Sequence, residues 1–188
     1  MKKELNSLNI RANKILGQNF LIDESVVYDM IEAMSIEDSD TILEVGPGLG
    51  ILTEEIANRD CRTIAIEKDE NLILYLKNKF ENKQKIEIRQ GDILREEINL
   101  ENYKIIANLP FYLTSRFLRV FLEHQNKPSV MVLLMQKEVA DRIVASDNNR
   151  SILSVSCSLY SKTEIIREVS KKSFYPKPEV DCAVVKFE

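Results

Sequence analysis

At 188 residues, with 44% hydrophobic and 30% charged side chains, the chain is sized for one soluble domain with a sizeable core. Cys61, Cys157 and Cys182 are odd in number, far apart and free of any Cys-x-x-Cys pair, which argues against a disulfide scaffold or a cysteine-based zinc module and for buried free thiols. The net charge of −4 hides a polarity: residues 1–20 sum to +3, 21–100 to −10 and 101–188 to +3, so a polyanion would meet the N-terminal arm and the second half.

The first 20 residues carry Lys2, Lys3, Arg11 and Lys14 without a long apolar run, which reads as a polar arm rather than a signal peptide, and no stretch is long enough to cross a bilayer. A cytoplasmic location is the expectation. Leu16 to Ile22 is rich in turn residues and leads into a helix. Asp23 is a suitable N-cap for a helix from Glu24 to Met34, with Val26, Val27, Met30, Ile31 and Met34 on one face. Thr41 to Val45 reads as a strand, residues 46–50 as a tight glycine loop, and Ile51 to Asn58 as a helix. A second strand, Arg62 to Ile66, is closed by Glu67. A helix from Glu70 to Phe80 follows, then a strand over Ile86 to Ile88 and the pair Gly91-Asp92. Tyr103 to Ala107 is a buried strand that must stop by Pro110, which has no N–H to donate. Helices are expected at 114–123, 136–145 and 152–160, a strand at 130–135, and an antiparallel pair from 163–169 and 180–187. Strands alternating with helices predict an α/β fold: a mostly parallel sheet with right-handed crossovers and an antiparallel final pair, in one domain spanning 1–188.

Ligands of such sheets bind at the carboxyl ends of the strands. Four consecutive strand ends carry chemistry here: Gly46-x-Gly48-x-Gly50, Glu67 placed 21 residues beyond Gly46, Asp92, and Asn108-Leu109-Pro110-Phe111. Glycines let a ligand approach the backbone, and an acid at the second strand end can accept both ribose hydroxyls. The loop lacks the third spacing of a dinucleotide fingerprint, and no Gly-Lys-Ser follows it. Glu44 before the loop would repel pyrophosphate and suits an ammonium or sulfonium, as in S-adenosylmethionine. At the fourth strand end, the Asn108 side-chain oxygen and the Leu109 carbonyl, held by Pro110, offer two acceptors beside the Phe111 ring. That is a seat for a planar amine such as adenine. His124 is the single histidine and closes a helix, so neither a triad nor a histidine-based metal site is expected.

The chain resembles the small-subunit ribosomal RNA adenine dimethyltransferases of the KsgA type. The resemblance rests on residues 15–23, on Glu44 to Thr53, and on Gly91-Asp92. It continues through Asn108 to Phe111, Gln136 to Arg142 and Ser173 to Val180, all in family order. It implies a Rossmann-like class I S-adenosylmethionine-dependent methyltransferase with a seven-stranded sheet, acting on two adjacent adenines near the 3′ end of small-subunit rRNA in a partly assembled subunit. By that resemblance Gln18, Asn19 and Leu21, in an N-terminal arm and cofactor-covering segment over 1–22, close over the methionine part. Gly46 and its loop hold the amino-acid end, Glu67 the ribose, and Asp92 the adenine amino group with Ile93 against the ring. Asn108 lies between cofactor and target base, and Phe111 and Phe174 stack on the two faces of that base. Arg116, Arg119, Lys137, Arg142, Arg150, Lys171, Lys172 and Lys177 are the candidate phosphate contacts. A monomer without metal or membrane contact is implied.

There are departures from the family pattern. Phe111 stands where a tyrosine is usual. Lys68 stands where an aliphatic residue is typical, so its stem covers the adenine less well. Residues 150–151 differ as well. The chain also ends at Glu188, where the family continues into a small helical domain, so the expectation is a catalytic domain alone. Two rival readings are the large-subunit rRNA adenine methylase of macrolide resistance and a non-catalytic assembly factor on the same scaffold.

Overall fold

The computed structural model describes residues 12–13, 16–145 and 151–188. Nine strands and six α-helices alternate through these residues. The strands are β1 (Phe20–Leu21), β2 (Thr41–Val45), β3 (Arg62–Glu67), β4 (Ile86–Gln90), β5 (Tyr103–Asn108), β6 (Val130–Gln136), β7 (Thr163–Val169), β8 (Phe174–Tyr175) and β9 (Cys182–Phe187). The helices are α1 (Glu24–Met34), α2 (Ile51–Ile56), α3 (Glu70–Lys79), α4 (Thr114–Leu122), α5 (Lys137–Val144) and α6 (Ile152–Tyr160).

Seven strands form one sheet in the order β4-β3-β2-β5-β6-β9-β7. The first five are parallel, and β9 inserts antiparallel between β6 and β7. The expected final pair is therefore present, with its second member one place inside the edge. From β2 the chain winds outward through β3 and β4, then returns to the other side of β2 as β5. The switch point thus lies between β2 and β5, where a crevice opens at the carboxyl ends. A second sheet of two strands, β1 with β8, joins Phe20 to Tyr175 and Leu21 to Phe174. Strands this short carry no periodicity in sequence, and β1 was legible only as a turn-rich segment.

Period-two alternation along β2 and β5 sorts neighbours into opposite layers. Leu43 and Ile105 face the layer of α4, with Phe117, Leu118, Phe121 and Leu122. Ile42 and Ile106 face α1 and α2, with Val26, Met30, Met34, Leu52 and Ile56. Within the first layer Phe117 and Phe121 pack at 4.5 Å between ring centroids, tilted by 34°. Helix α1 starts where expected: the Asp23 carboxylate accepts from the Ser25 amide at 3.1 Å, a cap worth about 1 kcal/mol. Its second oxygen accepts from Ser173 Oγ at 2.8 Å, tying the helix start to the turn before β8. Helix α2 is shorter than expected, ending at Ile56 because the Asn58-Arg59-Asp60 segment closes a turn into β3. All three cysteines are buried free thiols.

Candidate active site

The carboxyl ends of β2, β3, β4 and β5 converge on one cavity of about 340 Å3, within the range of small-molecule sites. A segment running from Leu16 to Leu21 forms its lid. That strap is tied down at several points. Gln18 Nε2 donates to Asp69 Oδ2 at 2.7 Å, β1 pairs with β8, and the Ile22 amide donates to the Ser173 carbonyl at 2.9 Å.

Beneath the strap lies the glycine loop. Gly46 has φ +67°, and a Cβ placed there would meet nothing within 4 Å, so the loop leaves open cavity where a side chain would stand. The Gly48 amide donates to Glu67 Oε2 at 3.0 Å, while Glu67 Oε1 accepts from the Lys68 and Asp69 amides at 2.8 and 2.9 Å. Three backbone bonds fix this carboxylate and leave one lone pair of Oε2 uncommitted on the cavity wall. Burial raises the Glu67 pKa, with the three amides working against it. At the next strand end Asp92 Oδ1 accepts from the Leu94 amide at 3.2 Å and Oδ2 from Lys68 Nζ at 3.0 Å. Partial burial would raise Asp92, but the Lys68 ammonium and the Leu94 amide outweigh it and hold the acid below its ordinary value. Ile93, 6% exposed, completes this wall.

At the end of β5, Asn108 Nδ2 donates to the Asn19 carbonyl at 2.9 Å. A carbonyl can only accept, so this contact fixes which way the amide faces and leaves Asn108 Oδ1 as an acceptor. The Leu109 amide bonds the Leu134 carbonyl at 3.2 Å, and the Pro110 carbonyl accepts from the Leu113 amide at 2.9 Å, so the corner is stiff on both sides. Phe111 lines the cavity and packs on the layer of α1. Phe174 is 4% exposed: it belongs to that same hydrophobic layer and presents part of its surface to the cavity.

Of the expected cofactor residues, Gln18, Asn19, Leu21, Gly46, Gly48, Glu67, Lys68, Asp92, Ile93 and Asn108 line this one cavity. Glu44 and Gly50 do not, which corrects a reading based on their nearness to the loop. Glu44 is fully buried behind it, with Oε2 accepting from Thr53 Oγ1 at 2.6 Å and Oε1 without a hydrogen-bond partner among the described residues. Desolvation lifts its pKa to about 7. Gly50 starts α2 and packs against Phe80, where an added Cβ would stand 2.8 Å from the ring.

The expected RNA contacts scatter. Among the described ones only Arg116 lines the cavity. Arg119 faces Glu123, Arg142 faces Glu138, and Lys137 bridges Asp141 and Glu168. Lys171 Nζ donates to the Glu179 carbonyl, and its neighbours Lys172 and Lys177 flank β8. Arg150 and the basic arm residues Lys2, Lys3, Arg11 and Lys14 lie outside the described residues. Two participants went unread in the sequence. Asp69 anchors the strap, and its signal was a second acid two residues after Glu67. Tyr112 lines the cavity mouth, and its signal was a second aromatic after Phe111.

Comparison with known proteins places the chain in a family. A family model described as ribosomal RNA adenine dimethylase matches residues 9–188. A ribosomal RNA small subunit methyltransferase A from Dehalococcoides mccartyi is 43% identical over 190 residues, a match covering 98% of this chain and 65% of the relative. The chain thus spans just under two thirds of that protein. Among solved structures, a dimethyladenosine transferase from Plasmodium falciparum superposes with a TM-score of 0.84 at 29% identity, over 89% of this chain and 62% of that one. The 23S rRNA methyltransferase ErmE gives the same TM-score of 0.84 at 27% identity, over 90% of this chain and 69% of that one. The sheet order and these neighbours make the fold a Rossmann-like class I methyltransferase fold. By the extent of the family match and the level of identity, the chain belongs to the ribosomal RNA adenine dimethylase family.

Proposed function

We propose that this chain transfers methyl groups from S-adenosylmethionine to N6 of adenine in small-subunit rRNA, giving N6,N6-dimethyladenine on two adjacent adenines near the 3′ end during ribosome biogenesis. The observation that carries the reading is the Asn108 amide. Its nitrogen is committed to the Asn19 carbonyl, so its oxygen is available to an exocyclic amine in the same cavity that Glu67 and Asp92 line.

The cavity residues fit the cofactor. Gly46 leaves room against the backbone, Glu67 keeps a lone pair for ribose hydroxyls, and Asp92 accepts from an amine beside apolar Ile93. No cation of the loop itself would attract pyrophosphate, as its five residues are Gly, Pro, Gly, Leu and Gly. When bound, S-adenosylmethionine supplies an electrophilic methyl carbon on a sulfonium. This chain's own residues do the positioning. Adenine N6 is a weak nucleophile because its lone pair is delocalised into the ring. Hydrogen bonds from N6 to Asn108 Oδ1 and the Leu109 carbonyl hold the amine partly pyramidal, with the lone pair directed into the cavity. Phe111 stacks on the base, which must be unpaired or extruded to enter, and Phe174 bounds the other side.

The family match and the small-subunit relatives support the small-subunit substrate over the large-subunit one, whereas the equal TM-score with ErmE shows that fold alone does not separate them. The partner in this reading is the small ribosomal subunit, the protein acts as a monomer, and the location is cytoplasmic. Among the described residues no helix is long and apolar enough to cross a membrane, and no group of three metal-binding side chains occurs. The test is methyl transfer from labelled cofactor to unmethylated small subunits, naked small-subunit rRNA and large subunits. Label in the small-subunit arms, recovered as dimethyladenosine, is the expected result. Label confined to large subunits would replace this reading with its rival, and cofactor binding without transfer to any arm would indicate a non-catalytic factor.

A further inference from the structure

Beyond the cavity that receives the target base, the geometry points to a second nucleotide subsite at its mouth, formed by the exposed ring of Tyr112 and the guanidinium of Arg116, which holds the nucleotide next to the target in a single strand. The inference rests on the rRNA-methylation reading and deepens it.

Tyr112 follows Phe111 in the turn between β5 and α4 and lines the same cavity, yet it is 61% exposed. One edge of its ring is supported: a Cβ on Gly17 would stand 3.4 Å from Tyr112 Cε1, an ordinary contact distance, so the strap lies against the tyrosine, and the φ of +64° at residue 17 favours glycine there. The ring therefore has a fixed backing and an open side. Arg116 comes one helical turn later, at the start of α4, and also lines the cavity. Among the described residues no ion pair or hydrogen bond engages its side chain, in contrast to Arg119 and Arg142, which face Glu123 and Glu138 on their own helices. Arg95, which lines the same cavity, has an 86% exposed side chain, with Nε 3.9 Å from Asp92. An exposed aromatic ring and two guanidinium groups lining one cavity match the repeating chemistry of single-stranded RNA, a flat base beside a phosphate. Bringing the target base into the cavity breaks its stack with its neighbour. A tyrosine at the mouth replaces that lost stack, and Arg116 takes the phosphate between the two nucleotides.

The chain of 188 residues, saturated with S-adenosylhomocysteine, is titrated with a short fluorescent oligoribonucleotide containing one adenine, and with versions abasic at the position before or after it. Tyr112→Ala should weaken binding of the intact oligonucleotide by about five- to 150-fold, the range for loss of one base–aromatic stack. Tyr112→Phe should stay close to wild type, and S-adenosylhomocysteine affinity should be unchanged in both variants. One of the abasic oligonucleotides should show the same loss on wild type and no further loss on Tyr112→Ala. Losses that simply add for both abasic positions would overturn the subsite, as would unchanged RNA binding by Tyr112→Ala. A parallel fall in cofactor affinity would make the ring a support for the strap instead. If wild type binds S-adenosylhomocysteine but no oligonucleotide, the subsite falls and the cofactor site stands; if it binds neither, the underlying reading falls with it.

Discussion

The most informative single contact is the 2.9 Å bond from Asn108 Nδ2 to the Asn19 carbonyl, because it orients a side chain whose two ends differ only in which atom donates. Asn108→Asp sets a carboxylate oxygen against that carbonyl. The side chain must then rotate or the strap must shift, and a displacement near 1 Å at a reacting centre costs about a hundredfold in rate. Methyl transfer by Asn108→Asp should fall by about that factor, while S-adenosylhomocysteine binding, measured by calorimetry, changes far less. Glu44 is a residue whose place the sequence misled. Its position before a glycine loop suggested a ligand contact, but in β2 it points into the layer beneath, where burial lifts its pKa to about 7. A carboxyl with a raised folded pKa favours the folded state while protonated, so this contribution is present below the unfolded value near 4.5 and is lost as pH rises to about 7. Glu44→Gln removes that titration. Its thermal midpoint should decline less than that of wild type between pH 5 and pH 8, and equal declines would show that Glu44 is not the group responsible.

At the level of elements, the glycine loop and the strap define the cavity, and they were unequally legible. The loop was readable because three glycines at spacing two fit few structures other than a close backbone approach after a strand. The strap was readable only through resemblance, since its anchors lie far away in sequence: Gln18 on Asp69, β1 on β8, Asn19 on Asn108. No local pattern encodes such pairings. The structure also divides the loop into two jobs. Gly46 borders open cavity, whereas Gly50 is pressed on Phe80 and Leu76 of the α3 side. Gly46→Ala should keep the fold, losing about 1–2 kcal/mol to its positive φ, yet lose most cofactor affinity because the methyl enters the cavity. Gly50→Ala carries a similar backbone penalty plus an overpacking cost of about 1–3 kcal/mol, and should unfold at lower urea while the folded fraction still binds cofactor. Urea melts paired with cofactor titrations separate the two outcomes, and identical behaviour of the variants would remove the distinction.

Across the whole molecule, the alternation of strands and helices specified the parallel α/β sheet, and element ends fell within a few residues of the expected ones. Which cations face outward was not legible, because pairing depends on neighbours that a sequence does not display. The second half sums to +3, but much of its charge is engaged locally: Arg119, Lys137 and Arg142 each sit within 4.0 Å of an acid on the same helix. A cation already compensated by its own helix releases few counterions from a polyanion, so total charge overstates the RNA-binding surface. Arg116 at the mouth, with Lys172 and Lys177 around β8, has no side-chain ion pair among the described residues, and Phe174 of β8 lines the cavity. In the proposed reading the polyanion path therefore runs past these three cations. Neutralising Arg116, Lys172 or Lys177 to Gln should lower oligoribonucleotide affinity and reduce the slope of log affinity against log salt by about 0.7 each, the single-strand value. The same change at Arg119 or Arg142 should leave the slope as it was, or steepen it slightly if the released acid repels phosphate. Equal slope changes in both groups would mean that the path covers the outer faces of α4 and α5, and that the local ion pairs open on binding.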